Sequence, residues 1–193
     1  ENIIDDPDLD SIYKLPIVFE KRKLAEKILM KFKINKPPKQ KLAKWKNFVN
    51  TLGKSKKVVR VALVGKYVKH GNDNHKDVYV SVLEALTHAA VFNKVKLLVT
   101  AISSDDLSKL SDKEIAKKLS EFGGIVVPQG WGSRGHEGKL LAIRYARENS
   151  VPYLGLCFGM QMAVIEFARN VLKLSSANSE EVDSKTSDPV IHV

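Results

Sequence analysis

The stretch YLGLCFGMQ, residues 153–161, decides how the second half of the chain folds. It begins as an apolar run and reaches the only cysteine of the chain, Cys157, which has Gly155 and Gly159 on either side. A cysteine kept only for packing needs no glycine neighbours, whereas a side chain displayed on a sharp strand-to-helix turn leaves no room for bulky ones. The stretch therefore predicts a strand, a tight turn carrying the cysteine, and a helix.

This predicted turn has the form of a nucleophile elbow in which cysteine replaces serine. The amino end of the following helix favours the thiolate, and the N–H of Phe158 is placed to stabilise an oxyanion. A buried cysteine whose glycines serve only the turn explains the pentapeptide about equally well. A second glycine-rich loop, PQGWGSRG (residues 128–135), ends the preceding predicted strand and favours the nucleophile, because it would lie beside the elbow and supply a second N–H.

Outward from the elbow, apolar runs alternate with segments of helical periodicity. The runs predict strands over 58–65, 95–103, 123–130 and 151–157, and the intervening segments predict helices over 77–92, 111–122, 135–149 and 160–174. Apolar strands joined by helical crossovers predict an open, doubly wound α/β fold with a mostly parallel sheet. Sites in such folds form at the carboxyl ends of the strands, where Gly65, Gly130 and Cys157 fall.

The N-terminal part of the chain has a different composition. Within residues 1–20 an element ends with SIYKLP (residues 11–16), because Pro16 makes the continuation of a helix less favourable. Residues 21–57 predict a basic helical linker, with two helices broken at Pro37-Pro38 and lysines interleaved with apolar residues at helical spacing. Residues 58–193 form the predicted α/β domain.

Composition excludes several classes of protein. The net charge of +10 lies mostly before residue 61, on predicted solvated helix faces, and gives little support for nucleic-acid binding. The single cysteine excludes an internal disulfide framework and fits a reducing, cytoplasmic location. No apolar run reaches the length of a membrane span, and the charged start predicts no signal peptide. We expect no metal site, since His70 and His75 lie in a polar loop without further ligands.

The segment G-L-C-F-G-M-Q resembles the motif G-x-C-x-G-x-Q of class I glutamine amidotransferases, whose fold is flavodoxin-like. Four longer segments resemble the CTP synthase family: VALVGKY, DVYVSVLEALTHAA, HEGKLLAIRYARENSVPYLGLCFGMQMAVIEFARNVL and SANSEE. The segment DLDSIYKLP resembles the end of that family's amidoligase (synthetase) domain. The resemblance implies that residues 1–20 end the synthetase domain and that residues 58–193 form a glutaminase domain, incomplete at its C-terminus.

The resemblance also implies a reaction. The family is a ligase of pyrimidine biosynthesis that converts UTP to CTP with ATP and glutamine. Glutamine is hydrolysed in the domain seen here through a cysteine thioester, and ammonia passes to the synthetase domain of the same polypeptide, which holds ATP and Mg²⁺. GTP is implied as an allosteric activator and a homotetramer as the assembly. No cofactor is expected in this part of the enzyme.

The implied site residues follow from matching positions. Cys157 matches the nucleophile, and Glu181 matches a glutamate that recognises the α-amino group of glutamine, although a solvated acid is the alternative. Arg134 and Gly135 match a segment linked to the GTP response, although a loop arginine that meets solvent or an acid is the alternative. The oxyanion and glutamine-binding positions are matched by Phe158, Gln129, Gly130, Trp131, Gln161 and Glu181.

Two departures from the family pattern affect these expectations. Gln129 replaces a glycine, and if that position needs positive φ it costs about 1 kcal/mol or more, which would leave the oxyanion hole unformed until substrate arrives. The family triad also needs a histidine followed two residues later by glutamate. None of the five histidines has that context, so we expect the fragment to be inactive alone; they are His70, His75, His88, His136 and His192.

Three other functions stay open at the level of sequence. The chain is alternatively the amidotransferase part of another biosynthetic enzyme, such as one of GMP or anthranilate synthesis. It is alternatively a module that senses nucleotides or supports assembly without hydrolysing glutamine. A basic nucleic-acid-binding protein rests on charge alone.

Overall fold

The computed structural model describes residues 3–34, 41–68 and 77–192, so Pro37-Pro38 and the loop with His70 and His75 lie outside the described residues. The chain divides into two compact units, Glu1–Ser55 and Lys56–Val193. No helix within the described residues is long and apolar enough to cross a membrane.

The first unit is helical. A short 3-10 helix, Ile12–Lys14, leads into α1 (Leu15–Lys21), and α2 (Leu24–Lys31) and α3 (Ala43–Thr51) follow. The expectation that Pro16 would oppose a helix is wrong. Pro16 lies in the first turn of α1, where its missing N–H has no helical acceptor and its fixed φ suits the helix.

Three aromatic rings form the packing centre of this unit. The ring of Tyr13 lies 5.0 Å from the ring of Phe48 in an edge-to-face arrangement, and 5.8 Å from the ring of Trp45. The indole N–H of Trp45 donates to the Tyr13 carbonyl at 2.9 Å. These contacts hold α3 against the segment that begins α1.

The second unit is α/β. Its strands are β1 (Val58–Gly65), β2 (Lys96–Ser103), β3 (Gly124–Val127), β4 (Tyr153–Gly155), β5 (Ala177–Ser179) and β6 (Asp188–Ile191). Its helices are α4 (Val80–Phe92), which follows a 3-10 turn at Asp77–Tyr79, α5 (Ser104–Leu107), α6 (Asp112–Leu119), α7 (His136–Glu148) and α8 (Phe158–Asn170).

Strands β1 to β4 form one parallel sheet in the order β2-β1-β3-β4. The chain runs from β1 outward to β2 and then crosses back to β3 on the other side of β1, so the strand order reverses at β1. This arrangement confirms the predicted doubly wound α/β fold. The crevice at such a reversal is where ligands bind in open α/β sheets.

Both faces of this sheet are covered. Alternate residues of β1 point to opposite faces, so Ala62 and Val64 pack with α5 to α8 while Val61 and Leu63 pack with α4. Burial on both faces explains why the strands read as unbroken apolar runs rather than as alternating ones.

Three local features differ from the sequence prediction. Strand β3 ends at Val127, because the following Pro128 has no N–H for the sheet. Helix α5 is a four-residue turn capped by the Ser103 hydroxyl, too short to leave a periodic signal. Strands β5 and β6 form a separate parallel pair, and no strand was predicted from the sequence in these two segments.

A buried ion pair joins α7 to α8. The Glu166 carboxylate is 1% exposed and accepts hydrogen bonds from Arg147 Nε at 3.0 and 3.1 Å and from Nη2 at 2.8 Å. Asn170 Nδ2 donates to the same carboxylate at 3.0 Å. Because four hydrogen bonds converge on one buried group, its loss leaves donors without an acceptor.

We predict that Glu166→Gln weakens the packing of α7 on α8. The expected cost is about 3 kcal/mol, at the low end for breaking a buried pair because the Arg147 side chain is 33% exposed. Hydrogen exchange of α7 and α8 amides should accelerate by about 100-fold. Glu148→Gln is the matched control, since Glu148 meets Arg147 at the surface. Equal exchange rates in the two variants would contradict the conclusion that the ion pair of Glu166 with Arg147 holds α7 against α8.

Candidate active site

The cysteine lies where the sequence predicts it, on the turn between β4 and α8. Cys157 is exposed and immediately precedes the first residue of α8, with φ of 54° and ψ of −110°. A non-glycine residue held in such a sparsely populated conformation costs on the order of 1–3 kcal/mol, and such residues concentrate at functional sites. The thiol stands at the amino end of the 13-residue helix α8.

The two glycines beside the cysteine are needed for close approach of backbone to backbone. A Cβ on Gly159 would lie 2.0 Å from the carbonyl oxygen of Val127, and a Cβ on Gly155 would lie 2.7 Å from the Met160 nitrogen. The same Val127 carbonyl accepts a hydrogen bond from Leu156 N–H at 3.0 Å. The glycines thus let the elbow and the first turn of α8 press against the end of β3.

The loop that follows β3, residues 128–135, begins beside this elbow. Gln129 is half-buried and is not among the residues with positive φ. The left-handed strain considered for this position is therefore absent. Positive φ occurs instead at Gly132 and Gly135, which the sequence supplies as glycines.

The loop is connected to the turn after β5. The N–H of Gly132 donates to Glu181 Oε1 at 2.7 Å, although the two residues are 49 positions apart. Trp131, one residue earlier, is 63% exposed. The structure therefore brings Glu181 to the glycine-rich loop, as a shared substrate pocket requires.

Two side chains that follow Cys157, those of Phe158 and Gln161, have their ring or side-chain oxygen buried. The ring of Phe158 is buried in the core, which leaves only its backbone near the elbow. Gln161 donates its N–H to the Cys157 carbonyl at 3.2 Å, and its side-chain oxygen is buried without a hydrogen-bond partner. A buried carbonyl oxygen of this kind can accept a hydrogen bond from an amide or an ammonium group.

Arg134 and Gly135 face a different neighbourhood, at the ends of β1 and β2. The guanidinium of Arg134 bonds Asp105 at 2.5 Å and the Lys66 carbonyl at 3.1 Å, and it lies 5.6 Å from the ring centre of Tyr67. A Cβ on Gly135 would lie 2.5 Å from the hydroxyl oxygen of Ser104. Arg134 and Gly135 thus contact residues at the carboxyl ends of β1 and β2, whereas Glu181 contacts the loop at Gly132.

Sequence reasoning missed two lysines near the loop. Lys139 in α7 is 0% exposed and Lys66, just after β1, is 5% exposed. Lys139 precedes Ala142, Ile143 and Ala146, all buried, at helical spacing. A lysine in register with an apolar helix face was therefore a signal available in the sequence.

A charged network holds the start of α7. His136 contacts the Ser133 carbonyl through Nδ1 and Glu137 Oε1 through Nε2 at 2.9 Å, and Arg169 of α8 bonds the same carboxylate oxygen at 3.0 Å. The hydrogen bond to Glu137 raises the pKa of His136, and the hydrogen bond from His136 lowers the pKa of Glu137 to about 2. Both imidazole nitrogens are thus engaged.

No group of three or more histidine, cysteine, aspartate or glutamate side chains within residues 3–34, 41–68 and 77–192 is arranged to hold a metal ion. The exposed thiol of Cys157 has the chemistry to attack a carbonyl carbon, and the loop that Glu181 contacts begins at the end of the neighbouring strand β3.

Comparison with known proteins agrees with this geometry. The family model for Glutamine amidotransferase class-I matches residues 74–192. The chain belongs to the class-I glutamine amidotransferase family. The recognition made from the motif around Cys157 is therefore confirmed.

Curated relatives extend the likeness beyond the amidotransferase segment. CTP synthase of Sulfurisphaera tokodaii is 47% identical over 99% of this chain and 34% of its own length, and CTP synthase of Caldanaerobacter subterraneus subsp. tengcongensis is 46% identical over the same shares. The chain thus spans about a third of the length of the curated relatives it matches.

A solved structure is also similar to this amidotransferase. The glutaminase domain of Trypanosoma brucei CTPS with bound acivicin is 40% identical, with a TM-score of 0.63 over 70% of this chain and 50% of that chain. The roles of the individual site residues stay predictions.

We predict that Gly159→Ala disrupts the elbow. The added Cβ meets the backbone carbonyl of Val127, which cannot move without shifting β3, so the free energy of unfolding should fall by at least about 3 kcal/mol. Gly123→Ala is the control, because its Cβ meets only an ordinary 3.8 Å contact and should change stability by about 0.5 kcal/mol or less. Urea unfolding measures both, and equal losses would refute the close approach.

We predict that the pKa of His136 depends on Glu137. A raised histidine pKa stabilises the fold below the ordinary value of 6.5, and that contribution is lost as pH rises through the folded value. Glu137 contributes above its ordinary 4.5 and loses its contribution as pH falls through about 2, so the pair is strongest between pH 4.5 and 6.5.

Histidine-selective NMR titration should show the pKa of His136 falling in Glu137→Gln, because the largest cause of its elevation is removed. Glu148→Gln, at the other end of α7, should leave that pKa unchanged. An unchanged value in Glu137→Gln would show that the hydrogen bond does not govern His136.

Proposed function

We propose that this chain is the glutamine-hydrolysing part of a CTP synthase, and that it supplies ammonia for the ATP-dependent amination of UTP. The observation that carries the proposal is the exposed Cys157 held in a strained conformation at the amino end of α8. The names of the curated relatives and of the similar solved structure support the choice of CTP synthase over other amidotransferases.

In the proposed reaction the Cys157 thiolate attacks the side-chain amide carbon of glutamine. The carbonyl oxygen becomes an oxyanion that accepts hydrogen bonds from the N–H of Phe158 and from an N–H of the loop at Gln129-Gly130. The C–N bond then breaks, the nitrogen leaves as ammonia after it gains a proton, and a γ-glutamyl thioester remains. Water adds to the thioester, which releases glutamate and restores the thiol.

The proton transfers need a general base that this proposal does not place among the described histidines. His136 binds Glu137 and Ser133, and His192 lies 3.5 Å from Glu180. We assign the base to a histidine oriented by a glutamate, in accordance with the family triad, and not to His136 or His192. Such assistance contributes typically 10²–10⁴-fold to the rate.

Glutamine recognition is assigned to the groups around the loop. Among the residues matched to the oxyanion and glutamine-binding positions, Glu181 alone carries a formal negative charge. It is therefore proposed to pair with the α-amino group of the substrate. The buried oxygen of Gln161 is proposed to accept a hydrogen bond from the substrate, and the exposed Trp131 to cover it. The bond from Gly132 to Glu181 holds the carboxylate at the loop.

The rest of the enzyme follows as part of the proposal. Residues 1–20 are assigned to the end of the synthetase domain, 21–57 to a linker, and 58–193 to the glutaminase domain. ATP with Mg²⁺ and UTP belong to the synthetase domain, GTP is the activator sensed through Arg134 and Gly135, and the assembly is a cytoplasmic homotetramer.

The test is carried out in the full-length protein with Cys157→Ala. Glutamine-dependent CTP formation should be abolished, because the thioester cannot form, while CTP formation from added ammonia should persist. Acivicin, which is bound in the Trypanosoma brucei glutaminase domain, should label the wild type at Cys157 and leave the variant unlabelled. Product formation and mass spectrometry of the peptide containing Cys157 measure these two results.

Val164→Ala is the control, since Val164 lies on an exposed face of α8. It should retain both activities and the label. Glutamine-dependent activity that survives Cys157→Ala would reject hydrolysis at this cysteine. Loss of both activities in Cys157→Ala with retained folding would reject its assignment to the glutaminase step alone.

A further inference from the structure

Two lysines are buried side by side beneath the glycine-rich loop. A Cβ on Gly130 would lie 2.9 Å from Lys139 Nζ and 3.4 Å from Lys66 Cε. Gly130 is therefore needed for space rather than for backbone conformation, since it is not among the glycines with positive φ. Lys66 extends from the end of β1 and Lys139 from α7, so two elements bring the Lys139 ammonium and the outer carbons of the Lys66 side chain to one point.

Neither ammonium group is neutralised within the described part of the chain. Lys139 Nζ is fully buried without a hydrogen-bond partner, and its nearest ring contact is the face of Phe158 at 4.8 Å. Lys66 Nζ lies 5.2 Å from the ring centre of Tyr67 and makes no ion pair. The nearby carboxylate, Asp105, is already bonded to Arg134.

Two adjacent cations in a buried position are costly unless an anion joins them. The cost is visible at Lys139, where burial and the charge of Lys66 lower the pKa to about 8. Further along the loop, a Cβ on Gly135 would lie 2.5 Å from the buried, unpartnered hydroxyl of Ser104, 2.9 Å from Asp105 Oδ1 and 3.4 Å from Lys66 Cβ. A polar hydroxyl and a carboxylate thus lie near the base of the Lys66 side chain.

The position of these groups in the fold favours a ligand. They lie at the carboxyl ends of β1 and β3, where the strand order reverses and open α/β sheets bind their ligands. Cys157 lies on the turn after β4, and β4 pairs with β3 on the side away from β1. Lys139 Nζ lies 4.8 Å from the ring centre of the next residue, Phe158, so the lysines are neighbours of the thiol turn.

We propose that Lys66 and Lys139 form an oxyanion-binding site beneath Gly130, which takes a phosphate or carboxylate group and holds the glycine-rich loop against the end of β1. A bound oxyanion offsets the repulsion between the two ammonium groups, and its oxygens accept hydrogen bonds from both. Entry requires the loop to open, since Lys139 is fully buried in its closed position. The occupied site should therefore slow opening of residues 128–135.

Hydrogen exchange of residues 128–135 in the full-length protein tests this directly. Inorganic phosphate is titrated at constant ionic strength against chloride, and acetate is titrated in parallel to distinguish a phosphate site from a carboxylate site. We expect one of the two anions to protect the loop with saturation. Lys66→Met and Lys139→Met should each raise the half-saturating concentration at least tenfold, since each removes one of the two cations.

Lys113→Met on α6 is the matched control, because Lys113 is an exposed lysine outside this region, and it should keep the wild-type titration. Cys157→Ala should also keep it, so the anion site and the proposed hydrolysis succeed or fail separately. If Lys139→Met does not fold, Lys66→Met alone decides. Equal protection by chloride, or an unchanged titration in Lys66→Met, would overturn the proposal.

Discussion

The carbonyl oxygen of Val127 is the point on which this site depends. It ends β3, accepts the hydrogen bond from Leu156 just before the cysteine, and lies against the Cα of Gly159 in the first turn of α8. Because both contacts involve backbone atoms, neither can adjust through a side-chain rotation. The strained conformation of Cys157 is therefore imposed by the sheet, and the central strand sets the position of the thiol.

The glycine-rich loop starts from the same residue and is fixed at its far end by charge. Glu181 holds it through the N–H of Gly132, and Arg134 joins it to Asp105 and to the Lys66 carbonyl. The first connection leads to the turn after β5 and the second to the edge of β1 and β2. A loop of eight residues is thus attached on both sides by long-range contacts, although it has few apolar anchors of its own.

Much of this architecture was available from sequence, and the reason is periodicity. The four strands read as unbroken apolar runs, and the helices between them have apolar residues at helical spacing. The sheet and the elbow were therefore predictable from the sequence. Contacts between distant segments carry no such repeat. The bond between Gly132 and Glu181 joins residues 49 positions apart, and nothing in the polar letters of SANSEE distinguishes a buried strand from a solvated turn.

Short secondary-structure elements and buried charged residues were also not predicted from the sequence. Helix α5 has four residues and β5 has three, so each is barely longer than one period of the helical or strand pattern. No role was predicted for Lys139 from the sequence, although its spacing from Ile143 and Ala146 placed it on the apolar face of a helix, where lysine is rarely buried. Positive φ in this loop falls at Gly132 and Gly135, so the cost considered for Gln129, on the condition that it needed positive φ, does not arise.

The two attachments of the loop, only two residues apart, have a thermodynamic consequence. A ligand that draws the Glu181 carboxylate away from Gly132 releases one end of a short segment whose other end is the Arg134 ion pair. Because the two contacts restrain the same three residues, each reduces the conformational entropy that the segment still has to lose when the other forms. The hydrogen bond at Gly132 and the ion pair at Arg134 therefore stabilise each other.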